Sequence, residues 1–80
     1  MNQERLNQYL FEYIKEALIY SDKNVDGAAS YLMSQKTPRF FAKAEQKEAL
    51  RRAQKNFSSY RDRPLWFVLK TFGLTIEDFE

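Results

Sequence analysis

The chain contains neither cysteine nor histidine. Without cysteine, disulfides and thiolate metal sites are excluded, and a small secreted disulfide scaffold is ruled out. Without histidine, the commonest general base and metal ligand is missing, and Ser–His or Cys–His nucleophile systems cannot form. These absences favour a protein that is not an enzyme. They also lead us to expect no metal and no other cofactor.

Glycine and proline are scarce, with two of each among 80 residues. Hairpins and long loops need both residues, so their scarcity argues against a β-rich fold. A chain of this length forms one domain that buries only about 60% of its unfolded surface. Aromatic residues are abundant at 16% and supply large burial per residue. The composition predicts an all-α fold, with residues 1–80 forming a single helical domain.

Long apolar runs are also missing. No segment approaches the roughly 20 apolar residues that a membrane span needs. The N-terminal segment MNQERLNQYLFEY lacks the basic region and clean apolar stretch of a signal peptide. We therefore expect a cytoplasmic protein with no membrane partner. The sequence contains neither a glycine-rich phosphate loop nor the residue spacing of a zinc site. We therefore expect no small-molecule substrate. The segment DKNVDG has half of a calcium loop, but Leu32 stands where the bidentate Glu would be.

Apolar residues at helical spacing predict three main helices and a short second helix. The first covers residues 3–20, the second follows the turn SDKN, and the third runs from about 38 to 59. Thr37 is its predicted N-cap, and Pro38 suits its first turn. The predicted inward positions are Leu6, Leu10, Tyr13, Ile14, Ala17 and Leu18, then Val25, Ala28, Ala29 and Leu32, then Ala42, Ala49, Leu50, Ala53, Phe57 and Tyr60.

The segment PLWFVLKTF is apolar almost all round and follows Pro64. This pattern predicts a short, central and buried helix that includes Trp66. Gly73 is the expected residue just beyond its end. Thr75 and Asp78 have capping-box spacing, so LTIEDFE is predicted to form a C-terminal turn.

Charge is distributed unevenly although the net charge is only +2. Residues 36–63 hold nine Lys or Arg against three acids, a net of +6, whereas the rest of the chain has a net of −4. On a regular helix from Pro38, Lys43, Lys47, Arg51 and Lys55 form one stripe. Phe40 projects into the same sector, and Phe41 falls near Arg52. The hypothesis is a partner-binding surface that comprises Arg39, Phe40, Lys43, Lys47, Arg51, Arg52 and Lys55.

A structural interpretation of the same residues stays open. The wide apolar side of the first helix needs partners, and Phe40 and Phe41 can pack onto it. The cationic stripe is then a solvated face that keeps the protein in solution. Trp66 has the same two interpretations, as a core residue or as an exposed anchor.

Two segments resemble parts of DNA-binding domains. NVDGAASYLMSQKTPRFF resembles the helix pair of helix-turn-helix proteins, in which paired alanines precede the turn. The usual turn glycine is absent, and Pro38 interrupts the helix that would read DNA. FVLKTFGLTIEDF resembles the closing helices of phage-repressor-type domains over about a dozen residues. Neither resemblance covers enough of the chain to assign a family.

Three functions are compatible with the sequence. The first is a small regulatory or inhibitory protein that docks its basic–aromatic face on an acidic protein or nucleoprotein, by analogy with adaptors and inhibitors that phages and mobile elements encode. The second is a nucleic-acid-binding regulator of helix-turn-helix type, for which a homodimer could align two basic faces on a duplex. The third is a structural subunit of a larger assembly.

Overall fold

The computed structural model describes residues 2–35 and 43–79, and within these ranges the chain forms four α-helices and no strand. The helices are α1 (Gln3–Tyr20), α2 (Val25–Ser34), α3 (Ala44–Tyr60) and α4 (Leu65–Phe72), and a 3₁₀ turn covers Ile76–Phe79. The predicted all-α small helical domain is confirmed.

The ends of α1 and α2 are fixed by local side-chain bonds. The Asn2 side chain accepts a hydrogen bond from the Arg5 backbone N–H at 3.0 Å, which satisfies a free donor of the first turn. Asp22 and Lys23 then adopt left-handed backbone angles, with φ of 54° and 66°. Asn24 caps α2 by accepting from the Gly27 N–H at 2.8 Å. The bounds of α1 agree with the predicted range.

The core lies where α1, α2 and α3 meet. The predicted inward positions of these helices are confirmed within the described residues, with Leu10, Tyr13 and Tyr60 only half-buried. Five of the fully buried residues are alanines, which let the three helix backbones approach closely. The buried residues are Leu6, Ile14, Ala17, Leu18, Val25, Ala28, Ala29, Leu32, Ala49, Leu50, Ala53, Phe57 and Val68.

α2 and α3 are antiparallel and are joined at two levels. Gln54 Nε2 donates to the backbone carbonyls of Leu32 and Gln35, at 2.9 and 3.0 Å. Seven residues later, just beyond the end of α3, the Arg61 guanidinium donates to Asp26 and Ser30, both at 2.8 Å. Because the later residue, Arg61, binds the earlier part of α2, the two helices run in opposite directions.

The predicted start of α3 is wrong. Lys43 has extended backbone angles (φ −75°, ψ 157°), so a regular helix cannot run through it from Pro38. The helix begins at Ala44, where Ala, Glu, Gln and Lys are all strong helix formers. The predicted cap Thr37, Pro38 and the inward Ala42 lie outside the described residues. The projection of Phe40 and Phe41 assumed a continuous helix, and this premise fails at Lys43.

The prediction that α4 is central and buried is also wrong. Only Val68 of this helix is fully buried, and Trp66 is 65% exposed. Phe72 stacks on Phe57 at 5.9 Å between ring centroids, and Tyr60 contacts Phe67 edge-on at 5.5 Å. α4 therefore packs one side against the end of α3. A domain of this size has too little chain to cover the other side.

The C-terminal residues follow the predicted pattern. Gly73 adopts φ 70°, the left-handed conformation that a residue after a helix end commonly takes. The Thr75 N–H donates to the Asp78 carboxylate at 2.8 Å, which is the half of a capping box that the spacing predicts. The turn that follows contacts α1.

Replacing Phe57 with Ala should destabilise the protein strongly, since the ring is fully buried and stacked on Phe72. We expect a loss of about 3–5 kcal/mol in the free energy of unfolding, measured by urea denaturation. Trp66→Ala is the matched control, because the exposed indole mainly contacts Phe67 edge-on. Its cost should stay below about 1.5 kcal/mol. Equal losses for the two variants would contradict the assigned positions of these rings.

Candidate functional site

The solvent side of α3 carries a cluster of cations, which we call the α3 basic face. Ala49, Leu50, Ala53 and Phe57 occupy the opposite side of the helix, so a spacing of four residues keeps the cationic side chains directed outward. All are exposed except Arg52, which lies at the edge near α1 and is half-buried. The face comprises Lys47, Arg51, Arg52 and Lys55 of α3, together with Lys43, the extended residue that directly precedes the helix.

Glu48 holds the two arginines of this face. Arg51 binds both Glu48 carboxylate oxygens, with Nε at 2.9 Å from Oε2, and Arg52 Nε donates to Oε1 at 3.0 Å. The hydrogen bonds from Arg51, and then those from Arg52, lower the pKa of Glu48 to about 2. The carboxylate is therefore ionised at neutral pH and fixes two guanidinium groups on adjacent sides of the helix. It neutralises only part of their charge.

Three lysines of the face have no such partner. Among residues 2–35 and 43–79, no carboxylate lies within 4 Å of the ammonium groups of Lys43, Lys47 or Lys55. Within α3, eight residues separate Lys47 from Lys55, a distance of about 12 Å along the helix axis, and Lys43 directly precedes the helix. Cationic side chains thus follow one another through the middle of α3.

The other acid of α3 points away from this face. Glu45 accepts a hydrogen bond from the Asn2 backbone N–H at 3.0 Å, which places its carboxylate against the start of α1. This bond is the main reason that the pKa of Glu45 is lowered. Glu45 therefore joins two helices and does not offset the charge of the α3 basic face.

An exposed methionine, Met33, lies on the side of α2 that faces α3. Met33 lies three residues after Ser30 and seven after Asp26, the two residues that bind Arg61 of α3. This spacing places Met33 on the same side of α2. The preceding residue, Leu32, accepts from Gln54, and Met33 itself is 54% exposed. Sequence reasoning missed Met33. It could have been noticed as an apolar residue of the second helix that is not among its predicted inward positions.

Acidic side chains lie on a different side of the molecule, on the outward face of α1. Glu16 accepts a hydrogen bond from the Tyr31 hydroxyl at 2.7 Å, and this bond raises the pKa of Tyr31. The Tyr31 ring stacks on Tyr20, with 4.4 Å between centroids. Glu16 thus joins α1 to α2 through the Tyr31 hydroxyl.

The predicted partner-binding residues divide into two groups. Lys47, Arg51, Arg52 and Lys55 lie outside the buried side of α3, and Lys43 directly precedes that helix. Arg39 and Phe40, which the hypothesis included, lie outside the described residues, as does Phe41. The structure therefore keeps the α3 cations of the predicted surface outside the core, and Met33 is the apolar side chain that it adds.

Other kinds of site receive no support from the described residues. They contain no group of three or more acidic side chains that could hold a metal ion. None of the helices in these ranges combines the length and apolar character needed to cross a bilayer. Comparisons with protein-family models, curated proteins and solved structures gave no match to this chain. The arguments that follow therefore depend on the geometry of the chain itself.

Replacing Glu48 with Gln should change how steeply the melting temperature falls as the pH is lowered. The pKa of Glu48 is lower in the folded protein than its ordinary value of about 4.3, so its bonds to Arg51 and Arg52 stabilise the fold above that pH. This contribution is lost as the pH falls toward 2. We expect a shallower fall of the melting temperature between pH 4.5 and 2 in Glu48→Gln than in the parent protein.

Glu12→Gln is the control, because Glu12 forms no ion pair within the described residues. Its melting temperature should fall with pH as that of the parent does. Carbon NMR titration of the Glu48 carboxyl gives a direct measurement. A midpoint near 4.3 would show that neither arginine holds this carboxylate in solution.

Proposed function

We propose that this chain is a small non-enzymatic binding protein that docks the α3 basic face on an acidic surface of a protein partner. The observation that supports the proposal is a set of exposed lysines, with no carboxylate of residues 2–35 and 43–79 within 4 Å, beside two arginines that Glu48 binds. Fixed guanidinium groups lose less conformational entropy on binding than free ones do. The face is therefore already organised for contact with carboxylates.

The side chains divide into anchoring and steering groups. Arg and Met are enriched at protein interfaces, whereas Lys is depleted from interface cores and favoured at their rims. Arg51 and Met33 are accordingly the anchors that we assign. Lys43, Lys47 and Lys55 would surround them, accelerate the encounter with an acidic partner and disfavour basic ones.

A protein partner suits this face better than a nucleic acid does. Glu48 offsets part of the arginine charge, and the outward acids of α1 would repel phosphates that approach along a long duplex. Met33 supplies a flexible apolar contact, of the kind that adapts to irregular protein surfaces. Covering a partner's surface is the means by which a domain without catalytic groups can regulate or inhibit, as adaptors and inhibitors from phages do by analogy.

Reversing two charges on the α3 basic face should abolish partner capture. In Lys47→Glu/Lys55→Glu, carboxylates would face the acidic partner, and we expect at least about tenfold weaker binding. The measurement is affinity isolation from a nuclease-treated extract, followed by interferometry with the recovered partner. Helicity and melting temperature should change little, because each exposed substitution costs no more than about 0.5 kcal/mol.

The matched control is Arg5→Glu/Lys15→Glu, which alters the same number of charges on α1 and should retain the partner. Equal loss in both variants would show that only overall charge matters. The parent protein is also titrated with duplex DNA at several salt concentrations. Direct DNA binding, with affinity that falls steeply as salt rises, would replace the proposal with the nucleic-acid alternative. Obligate oligomers in sedimentation would favour a structural subunit.

A further inference from the structure

A second surface lies at the opposite end of α2 from Met33. The turn between α1 and α2 and the loop between α3 and α4 border an open cleft of about 470 Å³. Arg61 lines it but is already bound to Asp26. Lys23 and Arg63 also line the cleft, and within the described residues neither has a carboxylate within 4 Å.

Arg63 lies between this cleft and the aromatic side chains of α4, of which Trp66 is exposed and Phe67 is half-buried. Its guanidinium carbon lies 5.4 Å from the centre of the Phe67 ring, within the range of a cation–π contact. The Phe67 ring in turn meets Trp66 edge-on, at 6.1 Å between centroids. Lys70 follows Trp66 by one helical turn and is also exposed. Cations therefore flank the indole on both sides along the chain.

The exposure of Trp66 has no explanation in the packing of the fold. Val68 and the partly buried Leu65, Leu69 and Phe72 already cover the core from α4. An indole that is 65% exposed gains little from folding, yet aromatic and arginine side chains are the most frequent energetic anchors of protein interfaces. Trp66 and Arg63 are thus candidate anchors on either side of Phe67, next to a cleft where Lys23 and Arg63 outnumber the one carboxylate, Asp62, that has no ion pair within the described residues.

We infer that this end of the molecule is a second docking surface, for an acidic peptide segment that also carries an aromatic or aliphatic side chain. A carboxylate of the segment enters the cleft between Lys23 and Arg63, and the apolar side chain packs on Trp66. Lys70 contacts a further acid beyond the indole. Asp62, exposed on the cleft wall, disfavours a continuous polyanion such as nucleic acid. The inference is independent of the α3 basic face.

Trp66 is the single tryptophan of the chain, so its fluorescence reports directly on this surface. The probes are acetyl-EDFLDE-amide, acetyl-KKFLKK-amide with the same apolar centre, and an oligothymidylate. We expect a saturable blue shift and weaker acrylamide quenching with the acidic peptide only. No change at millimolar acidic peptide, or an equal response to the lysine peptide, would overturn the inference. Binding of the oligothymidylate alone would also overturn it.

Variants locate the peptide on this surface. Arg63→Gln and Lys23→Asn should each weaken binding of the acidic peptide at least about fivefold, since each removes one charge contact. Asn tolerates the left-handed backbone that Lys23 adopts, so the turn should keep its shape. Arg5→Gln, which removes one charge from α1, should bind the peptide as the parent does, and Lys47→Glu/Lys55→Glu reports whether the peptide contacts the α3 basic face instead. Unchanged binding in both cleft variants would reject the site, and loss only in the α3 variant would assign the peptide to the α3 basic face.

Discussion

Close approach of three helices through alanine is the constraint on which the structure depends. Ala17 of α1, Ala28 and Ala29 of α2, and Ala49 and Ala53 of α3 are all fully buried. Small side chains at these contacts leave little room for large rings in the centre. Phe57 is the one aromatic residue among the fully buried side chains of the described ranges. The other described rings are therefore displaced toward the periphery, where Trp66 remains largely in solvent.

α3 has a distinct role on each of its sides. One side fills the core with Leu50 and Phe57, and a second reaches α1 through Glu45. A third reaches α2 through Gln54, and the remaining side carries the α3 basic face. A helix held on three sides cannot rotate freely, so the orientation of its cations is set by the core. In the proposed function, binding and folding thus depend on the same helix but on different residues.

Local patterns predicted the parts of the fold that depend on neighbours in sequence. The ranges of α1 and α2 follow from periodicity and from caps such as Asn24, and the shared direction of Lys47, Arg51 and Lys55 follows from a spacing of four. These features need no knowledge of tertiary contacts. The existence of α3 and its inward residues could be predicted in the same way.

Features that depend on distant contacts could not be predicted. Apolar residues all round α4 indicate burial only if other elements cover every side, and Trp66 is 65% exposed, with none of the helices in residues 2–35 and 43–79 covering it. The extended Lys43 has no turn residue to mark it. Met33 lies on the side of α2 that faces α3 because the two helices pack antiparallel, and Lys23 and Arg63 line the same cleft although 40 residues separate them in sequence. No periodicity records such neighbours.

Glu48 occupies the position that an incoming acid would take on Arg51 and Arg52, and so acts as a resident competitor inside the chain. A visiting anion must either displace this carboxylate or coordinate the guanidinium N–H groups that it leaves free. Weakly basic or poorly oriented anions do neither, so they gain only the diffuse attraction of the lysines. In the proposed function, this carboxylate would therefore favour a shaped acidic surface over small free anions.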